Sequence, residues 1–309
     1  MSEIVITEFM DEAAVREHLA GFDLVFDPQL VDRPQRLRSL LADCRALIVR
    51  NRTQVRGALL EAAPRLCVVG RLGVGLDNID VAACTARNIR VCPATGANDL
   101  AVAEYVVCAA MLLLRRAWFA TAAVTAGKWP RMELIGQELA AKRLGLVGFG
   151  AIARLTARKA LALGMTVAAY DPYVAPSSEA WRGIERLGLA PLLSTSDVVS
   201  LHTPLTPQTR HLIDAAAIAQ MRSGSILINA ARGGILDETA LLEALRARRL
   251  GGAALDVFES EPVTAAAGSA WGDVPNLVLT PHIAGVTEES NVRVSQVVAR
   301  AVRDALGNP

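Results

Sequence analysis

The 309-residue sequence predicts an α/β protein made of two doubly wound parallel-sheet domains, one of them inserted into the other. Three observations carry this reading. Short β-branched runs alternate with Ala/Leu-rich helical segments almost throughout, the rhythm of successive βαβ units. The runs fall into two series, and together they would make an unusually wide single sheet. A glycine-rich turn between strand and helix opens the second series.

In the first series "EIVIT", "DLVF", "ALIVR" and "LCVVG" read as strands, separated by helical stretches at 11–20, 34–42 and 55–63. A boundary falls near "ATGANDLAVAEY", where Gly96 precedes a helix that Asn98 or Asp99 is suited to cap. That helix contains "YVVCAAMLLL", bounded by Glu104 and by Arg115 and Arg116. The run falls well short of the roughly 20 apolar residues a bilayer needs and reads as a buried helix. The second series is "RLGLVGF", "TVAAYD", "DVVSLH", "SILINA", "GAALDVF" and "NLVLTPH". The last helical stretch, "SNVRVSQVVARAVRDAL", is expected to cross back to the first domain. The expected domains are therefore residues 1–97 plus 286–309 and, inserted between them, residues 98–285.

Composition narrows the function classes. Lys and Arg number 32 against 31 Asp and Glu, with no block of like charge, so neither nucleic acid nor a membrane surface is an expected partner. Five scattered cysteines, with no C-x-x-C spacing, suit reduced thiols and offer zinc no seat, so no metal is expected. The first residues carry acids where a signal peptide carries bases, which points to the cytoplasm.

The strongest single motif is "LGLVGFGAIARLTARKALALGMTVAAYDPY". A strand ends at Gly148, Gly150 opens a helix, and a second strand ends in Asp171. Such glycines let the backbone approach a pyrophosphate held at the positive end of the helix, and Ala153 stands where a third glycine is common. The turn alone also serves purely structural needs. In its full βαβ setting, with an acid about 20 residues on, it predicts dinucleotide binding and a Rossmann/flavodoxin-like fold for each domain. Asp171 favours NAD over NADP, because a carboxylate accepts ribose hydroxyls and repels a 2′-phosphate. Its plainer role would be to start the turn "DPY".

Three later segments supply chemistry: "INAARGGILDETALLEAL" (228–245), "GAALDVFESEP" (252–262) and "LTPHIAG" (279–285). Spaced in this way behind the glycine turn, they resemble the D-isomer-specific 2-hydroxyacid dehydrogenase family. The likeness extends to "VVGRLGVGLDNID" and "HTPLTPQTRHLI" and so covers essentially the whole chain. It resembles the phosphoglycerate dehydrogenase branch, and "EFMDEAAV" together with "RNRTQV" is similar to sulfolactate dehydrogenases.

The resemblance implies an active site of Arg232, Glu261 and His282, and the chemistry agrees. Reducing a 2-keto acid requires a proton for the carbonyl oxygen, and histidine titrates in the right range. A neighbouring carboxylate stabilises imidazolium and orients the ring. An arginine grips the substrate carboxylate in a fork. Each has a plainer alternative: Arg232 bonding turn carbonyls, Glu259 or Glu261 as surface charge, His282 as a cap or core residue.

The same resemblance implies cofactor contacts at Gly148, Gly150, Ala151, Ile152, Asp171, Thr203, Pro204, Ala230 and Asp256, with His202 near the nicotinamide ribose. It places the substrate carboxylate on the backbone of "GRLGVG", from Arg71 through Leu72, Gly73 and Val74 to Gly75. Arg50, Arg52 and Arg71 follow strand-like runs and exceed what one carboxylate needs, which predicts a substrate with a second anionic group, with Arg131 as a further contributor. The expected reaction is NAD-linked interconversion of a D-configured 2-hydroxy acid and its 2-keto acid, in a cleft between the two domains, and the family resemblance also implies a homodimer, which the sequence itself does not show. The apolar helix at 101–117 would suit burial between subunits. The expected substrate pair is (S)-3-sulfolactate and 3-sulfopyruvate. The alternatives are D-3-phosphoglycerate and broad-specificity hydroxypyruvate or glyoxylate reduction. Two more distant readings are formate oxidation, against which Glu261 argues because that family has Gln there, and a non-enzymatic NADH-sensing corepressor.

Overall fold

Two separate parallel sheets, of five and seven strands, account for every strand of the computed structural model among its described residues, 2–307 with the side chains of 117 and 118 excepted. Met1, Asn308 and Pro309, which belong to the expected first domain, lie outside the described residues, as does the side chain at 117 of the expected interface helix. The chain divides into two compact units, one running to Asn98 and resuming at Val286, the other from Asp99 to Gly285.

The first unit contains β1 (Ile4–Ile6), α1 (Glu12–His18), β2 (Leu24–Phe26), α2 (Pro34–Leu41), β3 (Ala46–Val49), α3 (Ala58–Glu61), β4 (Val68–Arg71), α4 (Val81–Ala86) and β5 (Arg90–Pro93). The second contains α5 (Asp99–Arg115), α6 (Thr121–Thr125), β6 (Arg143–Val147), α7 (Ala151–Ala162), β7 (Thr166–Tyr170), β8 (Glu185–Arg186), α8 (Leu189–Thr195), β9 (Val198–Leu201), α9 (Ala215–Gln220), β10 (Ile226–Asn229), α10 (Glu238–Arg246), β11 (Gly252–Leu255), α11 (Ala265–Gly268) and β12 (Leu277–Leu279). The last helix, α12 (Glu288–Leu306), belongs to the first unit.

In the first unit the order is β2-β1-β3-β4-β5, every pair parallel. All four residues of β3 are buried, as a strand covered on both faces requires. α12 lays Val294, Val298 and Val302 on this sheet. Gly70 permits the approach, since a Cβ there would lie 2.7 Å from Val298 and 2.9 Å from Val302.

In the second unit the order is β12-β11-β10-β9-β6-β7-β8, again all parallel. The strand order reverses between β6 and β9, the switch point at which such sheets bind ligands beyond their carboxyl ends. One core lies on each side of this sheet. α5 turns Val106, Ala109, Ala110, Leu113 and Leu114 into one of them, so most of its apolar surface is used within the unit.

Two strands escape the sequence reading. β5 ends in a cysteine and a proline, and β8 has only two residues; both are edge strands. The helix expected at 55–63 shrinks to Ala58–Glu61, because Val55 bridges to Ile79 and Gly57 turns the chain at φ +49°.

Candidate active site

The glycine turn occupies the switch point of the second unit. Gly148 has φ +91°, and a Cβ on it would lie 2.7 Å from the His202 carbonyl oxygen and 3.0 Å from Thr203 Cγ2. Glycine is thus required by the packing of the β6 turn against the end of β9. Gly150 differs: it is the N-cap of α7, no side chain caps the helix there, and, its own chain neighbours aside, no atom of the described residues comes within 4 Å of the position its Cβ would take. The open space above the first N–H groups of a 12-residue helix, at Ala151 and Ile152, fits an incoming pyrophosphate. Ala153, fully buried, packs the helix on the sheet.

Asp171, at the end of β7, accepts the Phe149 N–H on Oδ2 at 2.8 Å and the N–H groups of Tyr173 and Val174 on Oδ1 at 2.8 and 3.3 Å. Three backbone bonds occupy most of its acceptor capacity, so its negative charge becomes the larger part of any preference for a ribose over a 2′-phosphate. The Thr203 hydroxyl oxygen is buried without a hydrogen-bond partner. A polar atom left so at a switch point fits a ligand that supplies the partner. Beside it, the Pro204 carbonyl accepts from Thr209 Oγ1 at 2.6 Å. His202 Nε2 lies 3.0 Å from Ser200 Oγ, and burial pushes its pKa down to about 4, which keeps the ring neutral near pH 7. Turn, helix terminus, carboxylate and orphaned hydroxyl together fit a dinucleotide.

Three adjacent strand ends, those of β10, β11 and β12, bring the other groups together. After β10, the buried Asn229 pins the turn that holds Ala230 and Arg232: its Nδ2 donates to the Arg232 carbonyl at 2.8 Å and its Oδ1 accepts the Ala231 N–H at 3.1 Å. A Cβ on Gly233 would lie 2.0 Å from the Phe258 carbonyl carbon. Glycine after Arg232 therefore lets this turn press against the loop that carries Glu261. Arg232 Nη1 donates to the Ala231 carbonyl at 2.6 Å, and the arginine's charge also acts on Glu261.

His282 follows β12 and adopts φ +57°, a left-handed conformation uncommon outside glycine. Its N–H donates to the carbonyls of Asp256 (2.8 Å) and Thr280 (3.0 Å). The Asp256 carboxylate, 1% exposed, holds the same turn: it accepts from Thr280 Oγ1 at 2.6 Å and from the N–H groups of Ile283 and Ala284 at 2.7 Å each. Burial raises the Asp256 pKa against these bonds. Behind them Tyr105 of α5 lies 2.6 Å from Thr280 Oγ1. Sequence reading missed Tyr105 altogether and saw Thr280 only as a letter of the motif.

The turn presents His282 Nδ1 to Glu261 Oε2 at 2.8 Å. Oε1 of the same carboxylate accepts the Phe258 N–H at 3.0 Å. Burial alone would raise the Glu261 pKa; the hydrogen bonds from His282 and Phe258 and the charges of His282 and Arg232 outweigh it and hold it low. The other acid of the segment turns elsewhere, Glu259 meeting His211 Nε2 at 3.0 Å. An ionised carboxylate fixed on one ring nitrogen leaves the other, Nε2, to exchange a proton with a ligand.

Apart from Arg131, the remaining sequence candidates lie in the first unit. Arg71 ends β4 and folds over Gly73, donating from Nη1 to the Leu72 carbonyl at 2.8 Å. Leu72 is 2% exposed and its N–H donates to the Val49 carbonyl at 2.8 Å, as the Gly73 N–H does to the Arg71 carbonyl at 2.8 Å, so the loop does not hold these two N–H groups ready for a ligand as the sequence suggested, whereas Val74 is exposed. Gly73 and Gly75 complete the loop, and Gly73 has φ +150°. Arg52 directs its fork at Asp32, and both side chains are well exposed. The Arg50 guanidinium donates, among the described residues, to two neutral acceptors, the Phe9 carbonyl and Asn291 Oδ1, and the charge of Glu8 also acts on it. Arg131, in the second unit, is exposed.

Among the described residues no three His, Cys, Asp or Glu side chains are grouped to hold a metal ion, and no helix is long and apolar enough to cross a membrane. Residues 107–284 match the model of the NAD-binding domain of D-isomer-specific 2-hydroxyacid dehydrogenases. The chain is 55% identical over 308 residues to an (S)-sulfolactate dehydrogenase of Chromohalobacter salexigens, covering 99% of both chains. It is 42% identical over 278 residues to a D-3-phosphoglycerate dehydrogenase of Mycobacterium leprae, covering 89% of this chain and 52% of that one. Among solved structures, the TT0316 protein of Thermus thermophilus superposes with a TM-score of 0.87 at 31% identity, over 98% of this chain and 96% of the other.

Proposed function

The chain belongs to the D-isomer-specific 2-hydroxyacid dehydrogenase family and is an NAD-dependent oxidoreductase, and from that premise we propose that it interconverts (S)-3-sulfolactate and 3-sulfopyruvate. The single observation that carries the catalytic part is the 2.8 Å bond between Glu261 and His282. Likeness to a full-length sulfolactate dehydrogenase supports the substrate.

In this reading NAD would be held by Gly148, Gly150, Ala151, Ile152, Asp171, Thr203, Pro204, Ala230 and Asp256, and when bound it carries the hydride exchanged with the substrate carbon. The protein's own groups do the rest. In the reducing direction protonated His282 gives its Nε2 proton to the substrate oxygen; in the oxidising direction the neutral ring takes that proton back. Glu261 stabilises the protonated ring and keeps Nδ1 bonded, so that Nε2 is the atom that exchanges. Arg232 binds the substrate carboxylate and polarises the carbonyl. The loop from Arg71 to Gly75 would offer the carboxylate the N–H groups of Val74 and Gly75, those of Leu72 and Gly73 being bonded to backbone carbonyls, and Arg50 would answer the distal sulfonate.

A second reading, D-3-phosphoglycerate dehydrogenase, is favoured by the 42% identical relative, and phosphate would suit the same arginine. We also propose a cytoplasmic homodimer. Five free cysteines suit a reducing compartment. Trp129, Met132 and Ile135, 75, 79 and 62% exposed, form an apolar run suited to contact with a second copy.

The test is NADH oxidation with 3-sulfopyruvate, 3-phosphohydroxypyruvate, hydroxypyruvate, glyoxylate and pyruvate. The highest kcat/KM is expected with 3-sulfopyruvate. A lead for the phosphorylated acid would replace the substrate. Equal rates with the monoanions would leave a broad-specificity reductase, and NADH binding without turnover would leave a sensor.

A further inference from the structure

In the first unit the strand order reverses between β1 and β3. The loops after these strands, at residues 7–8 and 50–53, flank the crevice that such sheets offer to ligands. Here the protein fills it with its own carboxylate. Glu8 is 5% exposed, and it accepts the N–H groups of Arg50 (2.9 Å) and Thr53 (3.0 Å) on Oε1 and those of Arg52 (3.1 Å) and Asn51 (3.3 Å) on Oε2. Four successive N–H groups converging on one anion form the kind of nest that elsewhere takes up a phosphate. From the other side Asn78, also buried, donates its Nδ2 to the carbonyls of Thr53 (2.8 Å) and Arg50 (3.4 Å). All four donors of this short loop and two of its carbonyls, those of Arg50 and Thr53, are thereby tied to buried side chains, which restrains its backbone.

The loop presents Arg50. Its Nη1 donates to the Phe9 carbonyl at 3.4 Å, its Nη2 donates to Asn291 Oδ1 at the start of α12, and its guanidinium carbon lies 5.8 Å from the centre of the Phe9 ring. These anchors use two of the five N–H donors, and both acceptors are neutral. The contrast with Arg52, two residues on, is chemical: its fork is closed by the Asp32 carboxylate, which cancels its charge. No carboxylate is hydrogen-bonded to the Arg50 guanidinium among the described residues; the Glu8 charge acts on it only through space, and the fork stays open to a further anion. The motifs "EFMDEAAV" and "RNRTQV", 42 residues apart at Glu8 and Arg50, meet in one structural device.

We propose that Glu8 and Asn291 are positioning residues that hold Arg50 for the distal anionic group of the substrate, and that they thereby set the preference for a doubly anionic 2-keto acid over a singly anionic one. Glu8 acts through the backbone and Asn291 through the guanidinium. The inference rests on the substrate reading above and adds the groups that enforce it.

The experiment measures kcat and KM for 3-sulfopyruvate and pyruvate, at saturating NADH, in the wild type and in Glu8→Gln, Asn291→Asp and Asn291→Ser. Asn291→Asp places a carboxylate on Arg50, as Asp32 does on Arg52. It is expected to reduce the sulfopyruvate-to-pyruvate ratio of kcat/KM at least tenfold, through KM for sulfopyruvate rather than kcat. Asn291→Ser, which keeps a neutral acceptor, should retain most of the ratio. Glu8→Gln turns an amide NH2 toward two N–H groups and should lower the ratio in the same way. Because Glu8 is buried, its variant risks the fold; Asn291 is only half-buried on a helix surface and decides the matter alone. A folded Asn291→Asp enzyme with the wild-type ratio overturns the proposal. If the wild type itself does not distinguish the two acids, it is the substrate reading that fails, and that result comes from the wild type alone.

Discussion

Glu261 Oε2 stands 2.8 Å from His282 Nδ1, with the other carboxylate oxygen held at 3.0 Å by the Phe258 N–H. The carboxylate cannot swing away without giving up a second bond, so the imidazole meets a fixed partner. Its lowered pKa keeps it ionised throughout the neutral range, where protonated His282 needs a counter-charge. Replacing His282 by Gln should lower kcat by about 10²- to 10⁴-fold, the usual contribution of a general acid or base. NADH binding, followed by fluorescence titration, should persist. Glu261→Gln should cost less and move the pH–rate profile of keto-acid reduction to lower pH, because the protonated ring loses its stabilising charge. A Glu261→Gln profile superimposable on the wild type would remove the dyad from the mechanism.

Behind the dyad, the relay from Tyr105 to Asp256 has a definite direction. Asp256 only accepts, so Thr280 donates to it, and Tyr105 must then donate to Thr280. Burial pushes the Tyr105 hydroxyl up to about 12, so it carries its proton at any working pH. Tyr105→Phe should cost about 1 kcal/mol of stability, the net value of an ordinary hydrogen bond. Thr280→Val strips a donor from a buried carboxylate and should cost about 2 kcal/mol. It should also lower kcat by loosening the turn that forces His282 to φ +57°. Denaturant melts together with kcat report both effects. If Thr280→Val melts earlier yet keeps full kcat, the relay supports the fold and not the histidine.

The cofactor preference follows from the charge of Asp171 more than from its free acceptor sites, three of its bonds being to backbone N–H groups. Asp171→Gly should raise KM for NADH and narrow the gap to NADPH, since a like charge no longer opposes the 2′-phosphate. It should also loosen Phe149 and the turn to Val174. Initial rates with both cofactors measure the change, and a wild type that already prefers NADPH contradicts this account of the strand end.

Much of this was legible in the sequence because each motif carries its chemistry in adjacent letters. The glycine turn, Arg232 before two glycines, Glu261 before proline and His282 between proline and small residues all lie in the turns and loops that follow parallel strands. What was not legible depends on side chains meeting backbone at long range. Glu8 reaches a loop 42 residues away, and Tyr105 meets Thr280 across 175 residues. The short edge strands β5 and β8 escaped for a different reason, having too few residues to show a period. Arg50 and Arg52 were indistinguishable as letters; only their partners, one neutral and one anionic, separate them.

Glu8 also predicts a pH dependence of stability. Burial by itself raises its pKa, but the N–H groups of Thr53, Arg50 and Arg52 more than compensate, and the folded value lies below the unfolded one of 4.5. The unfolded chain therefore binds the proton first. The contribution is complete above the unfolded pKa and is lost as pH falls through the folded value. Wild type should exceed Glu8→Gln in denaturant stability at pH 7, and the difference should shrink as pH falls below 4.5. A difference that is constant from pH 7 to the acid limit would mean that Glu8 acts by shape alone.

The arginines divide the substrate reading most sharply. With two anionic groups to bind, 3-sulfopyruvate should exceed pyruvate in kcat/KM by about a hundredfold, on the order of 3 kcal/mol of differential binding. Arg50→Met should remove most of that advantage, because the guanidinium it deletes is hydrogen-bonded only to neutral acceptors among the described residues and has donors left for a ligand. Arg52→Met should change the ratio by no more than about threefold, since the lost guanidinium was already paired with Asp32 and screened by solvent. Arg71→Met should act on both substrates alike: its side chain bonds to the Leu72 carbonyl within the loop that meets the carboxylate common to the two. If Arg52→Met and Arg50→Met prove equivalent, the partners of the guanidinium do not matter and the distal anion is read by net charge alone. If neither variant moves the ratio while the wild type still prefers the dianion, the second anionic group is bound elsewhere, and exposed Arg131 is the next residue to replace.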